Sequence, residues 1–195
     1  DVPSGWHGDS AQAVGELVGR AGATVTFETV KPAHALDPAA AACGAVRVVP
    51  IGMPAAAFPP ATTWLNHPDL WGAQLPRPEA QTHKHRRGRV GVYAGLPRPS
   101  LTQGAPRLSA RAALRVGAGW VVLWAEGAQA LLGEPAALMV QNPGDDRTLA
   151  AAAAAVEAVV VGPGLGRGPA AMAVVETLAR FAKGLVVDAD GLSAF

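Results

Sequence analysis

The second half of this 195-residue chain predicts an α/β fold built on a parallel sheet with helices on both faces. Two observations carry that prediction. After Gly88, short apolar, β-branched runs recur without the polar alternation of a sheet that faces water. Segments of helical length, with apolar spacings of three and four, separate them, and such alternation generates the crossover units of a parallel sheet.

The elements follow in chain order. Ala11–Val18 predicts a short helix that Gly19 and Gly22 interrupt. Ala23–Val30, rich in Thr and Val with a period-two component, predicts a strand. Ala45–Ile51 predicts another, with Pro50 suited to an edge or a strand end. From Met53 to Arg87, Pro54, Pro59, Pro60, Pro68, Pro76 and Pro78 break any long element. That stretch reads as a linker or irregular surface segment, and its Trp64 and Trp71 are expected to pack against a neighbouring domain.

Arg89–Ala94 is the next strand, followed by a Gly/Pro-rich loop to Gly104. Ala105–Val116 predicts a helix, with Ala105, Leu108, Ala112 and Val116 as its apolar stripe and Arg107, Arg111 and Arg115 facing solvent. Gly117 and Gly119 stop it. Then come a strand at Trp120–Ala125, a short helix near Ala128–Leu132, a strand near Ala136–Val140 and an Ala-rich helix at Leu149–Val156. Ala158–Val161 predicts a strand. Pro169–Ala182 predicts a helix with Met172, Val175, Ala179 and Ala182 inward, and Gly184–Asp188 the last strand.

Composition excludes several classes. Half of the residues are hydrophobic and 16% are charged, which argues against disorder. A formal charge of +1 lacks the basic excess of a dedicated nucleic-acid binder. The runs Leu149–Val156 and Ala158–Val161 are cut by Glu157 and Gly162, far short of the ~20 apolar residues that span a bilayer. The single cysteine, Cys43, makes no internal disulfide and reads as a small core residue, so a reducing, cytoplasmic setting is expected. The opening Asp1-Val-Pro-Ser-Gly5, with no signal-like region, reads as the interior of a longer protein.

The most informative stretch is Val159-Val-Val-Gly-Pro-Gly-Leu-Gly-Arg-Gly-Pro169. A strand ends, a glycine-rich turn follows, and a helix begins with proline near its first position. Backbone N–H groups at such a helix start suit an anion or a phosphate-bearing ligand. A tight turn with no ligand explains the same residues, and the spacing fits neither G-x-G-x-x-G nor the P-loop. Asp188 and Asp190 fall at the carboxyl end of a strand, where open α/β sheets place their ligands. They share one side only if the strand continues; otherwise one of them caps the next helix. His83-Lys-His-Arg-Arg87, with Arg89, is the one basic run, open to phosphate contact but more ordinary as a solvated face, and its histidines lack the partners of a zinc site.

Further stretches complete the pattern: Thr24-Val-Thr-Phe27, Lys31-Pro32, Cys43-Gly44 with Ile51-Gly52, and His83-Lys84 before Gly88. To these add Gly104-Ala105, Ala110-Arg-Ala-Ala-Leu-Arg-Val-Gly-Ala-Gly119, Gly162-Pro-Gly-Leu-Gly166 and Val187-Asp-Ala-Asp-Gly-Leu192. In this order they resemble the bifunctional NAD(P)H-hydrate repair enzymes, in which an epimerase domain precedes a ribokinase-like dehydratase domain. The resemblance implies the tail of a Rossmann-like epimerase domain over residues 1–54, a Pro-rich linker over 55–82, and the first half of the dehydratase domain over 83–195. It also implies that hydrated NADH or NADPH is epimerised by the first domain. The second would dehydrate the S form with ADP or ATP, Mg2+ assisting, by phosphorylating the hydroxyl and eliminating phosphate.

By position, the resemblance implies that Asp1 touches the epimerase substrate and that Ser4 helps hold a potassium ion. Ala105 and the backbone at Gly162, Gly164 and Gly166 would line the hydrated-nicotinamide site. It assigns no catalytic residue here, placing the nucleotide contacts and the activating Asp beyond Phe195. This sequence departs from the family at His85 and Arg86, which replace Gly and Asp, at Pro97 and Pro99 in the loop, and at Ser193. On this reading the chain by itself carries neither activity. A ribokinase-like small-molecule kinase and a non-catalytic remnant, prone to self-association through uncovered apolar faces, stand as alternatives. Whether the protein forms a homo-oligomer is left open.

Overall fold

The computed structural model describes residues 1–77, 79–95, 104–125 and 137–195. The chain divides into two compact units, Asp1–Leu75 and Pro76–Phe195.

The second unit is built on five strands: β3 (Arg89–Tyr93), β4 (Trp120–Trp124), β5 (Leu138–Gln141), β6 (Ala158–Val161) and β7 (Leu185–Val187). Two earlier strands, β1 (Ala23–Phe27) and β2 (Ala45–Val49), belong to the first unit. All five run parallel, in the order β5-β4-β3-β6-β7. The chain therefore starts in the middle of the sheet, winds to one edge through β4 and β5, and returns to the other side of β3 for β6 and β7. Because crossovers keep one hand, the reversal puts helices on opposite faces. α3 (Gly104–Val116) packs Ala110, Ala113 and Leu114 against Val92, Val121 and Leu123 on one face. α4 (Asp146–Ala154) and α5 (Pro169–Phe181) cover the other, where Leu149, Ala153, Val174 and Leu178 join Tyr93, Val122, Trp124, Val159 and Val161. Register explains the division. Val92 pairs with Leu123 and Val160, while Gly91 pairs with Val122 and Val159, so alternate residues of the central strands feed alternate faces.

Gly91 is buried because nothing larger fits: a Cβ there would overlap the six-membered ring of Trp124, itself 1% exposed. Each Val or Leu that this core buries fully, such as Val92, Leu123 and Leu178, stabilises the fold by about 1.5–3 kcal/mol.

The helices differ from expectation in their buried faces. In α3 the inward positions are Pro106, Ala110, Ala113 and Leu114, whereas Leu108 is 67% exposed and Val116 89%. Ala and Pro bury as readily as Leu where a helix lies close on a sheet, so the large residues misled the pattern. In α5 the inward residues are Ala171, Val174, Val175 and Leu178; of the stripe anticipated from sequence, Val175 lies fully inside, Met172 and Ala182 are half-buried, and Ala179 is exposed. α4 begins three residues before the expected start, at Asp146. The Asp145 carboxylate accepts the Thr148 amide at 2.8 Å and its hydroxyl at 2.6 Å, capping the helix there. The expected short helix at Ala128–Leu132 lies outside the described residues, as does most of the Gly/Pro-rich loop.

In the first unit β1 (Ala23–Phe27) and β2 (Ala45–Val49) pair in parallel, with Pro50 directly after β2. α1 (Ala40–Cys43) leads into β2 and buries Ala42 and Cys43. Ala11–Val18 is not helical. Gly15 sits inside it, and its amides serve a loop instead: Val14 donates to the Gly5 carbonyl at 2.8 Å and Trp6 bridges Ala13. The linker segment carries α2 (Pro68–Trp71), and both Trp64 and Trp71 are exposed, correcting the packing expected of them. The Trp71 indole donates to the neighbouring Asn66 side chain at 2.8 Å, a local bond that satisfies it in place. Among the described residues no helix is long and apolar enough to cross a membrane.

Candidate functional site

The strand order reverses between β3 and β6, and open parallel sheets bind ligands in the crevice outside the carboxyl ends of strands at such a switch point. Three backbone turns converge there. The chain leaving β3 passes through Gly95, where a Cβ would overlap the Gly164 carbonyl and come within 3.0 Å of the Leu165 Cα. The chain leaving β6 enters Gly162-Pro-Gly-Leu-Gly166. Gly162 is buried at φ +119°, and a Cβ there would strike the Asp188 carbonyl and approach the Gly191 nitrogen to 2.9 Å. The chain leaving β7 turns at once into a short 3-10 helix, Ala189–Gly191. Glycine is required at 95 and 162 by both the close approach and a positive φ.

Side chains then lock the turn. Leu165 is buried and anchors the middle of the glycine run in the core, and its amide donates to the Gly162 carbonyl at 2.9 Å. The Asp190 carboxylate accepts the Gly166 amide at 3.0 Å and lies 3.6 Å from the Arg167 guanidinium. Among the described residues the amides of Gly164, Arg167 and Gly168 donate to no group. They stand just before α5, which opens with Pro169 after a Gly168 cap whose φ is +105°. Unused amides at a helix start are an anion-binding arrangement.

Ala105 lies in the first turn of α3, on the connection from β3 to β4, and so belongs to the same carboxyl end of the sheet. Its carbonyl accepts the Ser109 hydroxyl at 3.1 Å, and its methyl group is half-buried. Gly162, Gly164 and Gly166 therefore form one turn, with Gly95 against it, a contact the sequence reading missed. A glycine two residues after a strand was its signal. The two aspartates do not act as a pair. β7 stops at Val187 and Ala189 takes φ +48°, so the chain turns before the alternation could bring Asp188 and Asp190 to one side. Asp188 is exposed and makes no side-chain cap, while Asp190 is committed to Gly166 and Arg167. Among the described residues no cluster of three His, Cys, Asp or Glu side chains stands ready for a metal ion.

Asp1 and Ser4 lie in the other unit. The Asp1 carboxylate pairs with the Lys31 ammonium at 3.0 Å and accepts the Thr26 hydroxyl at 3.3 Å. His34 bonds to the Asp1 carbonyl through Nε2 and accepts the Lys31 amide at Nδ1, at 3.0 Å, which requires the neutral ring. Partial burial, with the Lys31 charge, holds the His34 pKa below its usual value, in keeping with that tautomer. The Ser4 carbonyl takes the Gly19 amide at 2.7 Å, leaving an exposed hydroxyl. Lys31 thus occupies the Asp1 carboxylate, and the exposed Ser4 hydroxyl is a single neutral oxygen of the kind that a potassium ion takes.

Comparison with known proteins decides the family. A family model for NAD(P)H-hydrate dehydratase matches residues 97–195, half of the chain. The chain belongs to the NAD(P)H-hydrate dehydratase family. It is 35% identical, over 98% of its length, to a bifunctional NAD(P)H-hydrate repair enzyme of Thermanaerovibrio acidaminovorans. It is 36% identical, over its whole length, to the protein of the same name from Moorella thermoacetica. The chain spans about 40% of the length of these relatives. Among solved structures, a hypothetical protein of Streptococcus mutans superposes with TM-score 0.53 at 25% identity, covering 65% of this chain and 47% of that one. A ribokinase-like superfamily protein of Enterococcus faecalis gives TM-score 0.53 at 20% identity, covering 62% of this chain and 43% of that one, and shows the shared fold.

Proposed function

We propose that this chain serves nicotinamide-nucleotide repair, contributing the first half of a dehydratase domain (83–195) and, ahead of a linker (55–82), the tail of an epimerase domain (1–54). The reaction is the ADP- or ATP-dependent conversion of the S form of hydrated NADH or NADPH to the intact dinucleotide. In the complete protein it is coupled to epimerisation of the R and S hydrates. The observation that carries this reading is the glycine turn at the switch point, whose amides at Gly164, Arg167 and Gly168 have no partner among the described residues. ADP or ATP, with Mg2+, supplies the phosphoryl group that makes the hydrate's hydroxyl a leaving group.

The chain's own residues position. Phosphoryl transfer depends on placement and charge stabilisation more than on covalent participation. Within the Gly162–Gly166 turn, Gly164 lets the hydrated nicotinamide approach the backbone and the unused amides donate to its oxygen atoms, while Gly162 and Gly166 hold the turn against the loop after β7. Ala105, in the first turn of α3 at the same end of the sheet, adds an apolar methyl group to the site. Asp190 holds the turn in the receiving shape through Gly166. In the first unit Asp1 contacts the epimerase substrate, and Ser4 gives one oxygen to a potassium ion. The setting is cytoplasmic.

The test is the return of NADH absorbance when the complete protein is given hydrated NADH with ADP or ATP. NADH should reappear, Gly164→Val should abolish the reaction, and residues 1–195 alone should give none, since they span about 40% of the relatives' length. A phosphorylated product that accumulates without elimination would instead establish a small-molecule kinase.

A further inference from the structure

The basic run that the repair reaction does not use lines a cleft of its own. At the amino end of the sheet, an open cavity of about 390 Å3 lies between Pro76, Arg77, Glu79, Thr82, Arg86 and Arg87, the start of β3 and the end of α3. It is of small-ligand size, at the low end of the ~300–1,000 Å3 typical of binding clefts. Arg77, Arg86 and Arg87 line it, against the single carboxylate of Glu79, while Val90 and Val116 contribute an apolar wall. Among the described residues no carboxylate comes within ion-pair distance of these three guanidinium groups.

The cleft has a fixed floor. Arg86 and Arg87 sit on a 3-10 turn, Lys84–Arg87, whose backbone is seated so closely on Gly119 that a Cβ there would overlap the Lys84 carbonyl. The Gly119 amide donates to the Gly88 carbonyl at 3.0 Å. The Pro76 side is closed by its own turn, with the Thr82 amide on the Glu79 carbonyl at 3.0 Å and the Glu79 amide on the Thr82 hydroxyl at 3.1 Å. At the end of α3 the Gly117 and Ala118 amides, each at 3.1 Å, already cover the Leu114 and Ala113 carbonyls. The charge in the cleft is therefore set by the side chains, and it is positive.

We propose that this cleft is a second ligand site, for a di- or triphosphate group, whether free or carried by a nucleotide whose base rests on the Val90/Val116 wall. Planar guanidinium groups bind phosphate oxygens in pairs, and three of them around one cavity match the two or three phosphates of such a chain. The site lies at the opposite end of β3 from the glycine turn, so it does not depend on the repair reaction and fails or stands separately from it.

Calorimetric titration of the chain with inorganic pyrophosphate, ADP and adenosine tests this. Both phosphate compounds should bind, adenosine at least tenfold more weakly. The exposed double variant Arg86→Gln/Arg87→Gln, checked for fold by circular dichroism, should weaken pyrophosphate at least tenfold, since it removes two of the three guanidinium groups of the cleft. Val116→Trp, which fills the apolar wall, separates the two sources. It should lower ADP binding and spare pyrophosphate if the base uses the wall, and spare both if the phosphates alone are read. Equal affinities for adenosine and ADP, or wild-type pyrophosphate binding in the double variant, would overturn the proposal.

Discussion

The Asp190 carboxylate accepts the Gly166 amide proton at 3.0 Å, so the loop after β7 fixes the shape of the loop after β6. This one bond joins the two aspartate-bearing and glycine-bearing stretches that sequence reading had to treat apart. Arg167, 3.6 Å from the same carboxylate, adds a weaker, exposed attraction.

Replacing Asp190 should loosen the turn before it harms the core. Asp190→Ala is expected to cost about 1–2 kcal/mol in urea denaturation, near the low end of the roughly 1.5–3 kcal/mol for a hydrogen bond to a charged group because Asp190 is partly exposed. Asp190→Asn keeps an acceptor oxygen and should cost less than half of that. On the proposed repair reading, both variants of the complete protein should raise KM for hydrated NADH more than they lower kcat. An unchanged KM in Asp190→Ala would remove Asp190 from the site.

Gly162→Ala should be among the most damaging single substitutions. Its φ of +119° and the neighbouring Asp188 carbonyl leave no room for a methyl group. Backbone strain and overlap together predict a loss of about 3 kcal/mol or more. Thermal unfolding gives the measure, and a loss under about 1 kcal/mol would show that the β6 and β7 turns separate easily.

Gly91 and Trp124 should behave as one unit. Gly91→Ala drives a methyl group into the indole and is expected to destabilise by about 1–3 kcal/mol. In Trp124→Leu the same glycine change should cost far less. A double-mutant cycle reads the coupling, and additivity of the two would contradict the packing of Trp124 on Gly91.

Acid should weaken the second unit through Glu157. Its carboxylate accepts the Arg89 amide at 2.7 Å, Nε at 3.1 Å and a terminal nitrogen at 2.9 Å, tying the starts of β3 and β6 together. These Arg89 bonds, first the side-chain and then the backbone one, lower its pKa from 4.5 to about 2. Between those values the unfolded chain binds the proton and the folded one does not, so stability rises with pH across that window. The contribution is complete above about pH 4.5 and lost as pH falls toward 2. Glu157 is half-exposed, so the expected size is only about 1 kcal/mol. Denaturant midpoints of the wild type and Glu157→Gln should converge below that window; a constant difference down to pH 2 would argue against the assignment.

Much of this protein was determined by local sequence. The strands at Arg89–Tyr93, Trp120–Trp124 and Ala158–Val161 and the helix at Pro169–Phe181 follow from periodicity and from glycine and proline punctuation, which act over a few residues. The glycine run between Val161 and Pro169 announced a strand-to-helix turn for the same reason. Tertiary structure decided what local pattern could not. The order β5-β4-β3-β6-β7 placed the switch point at Gly95 and Gly162, and the abrupt end of β7 split Asp188 from Asp190. It also chose Ala110 over Leu108 as the buried face of α3, and brought Arg77 to Arg86 and Arg87. Those outcomes rest on contacts between segments distant in the chain. Their geometry is set by which strands pair and how closely backbones approach, and no periodicity within a single segment contains that information.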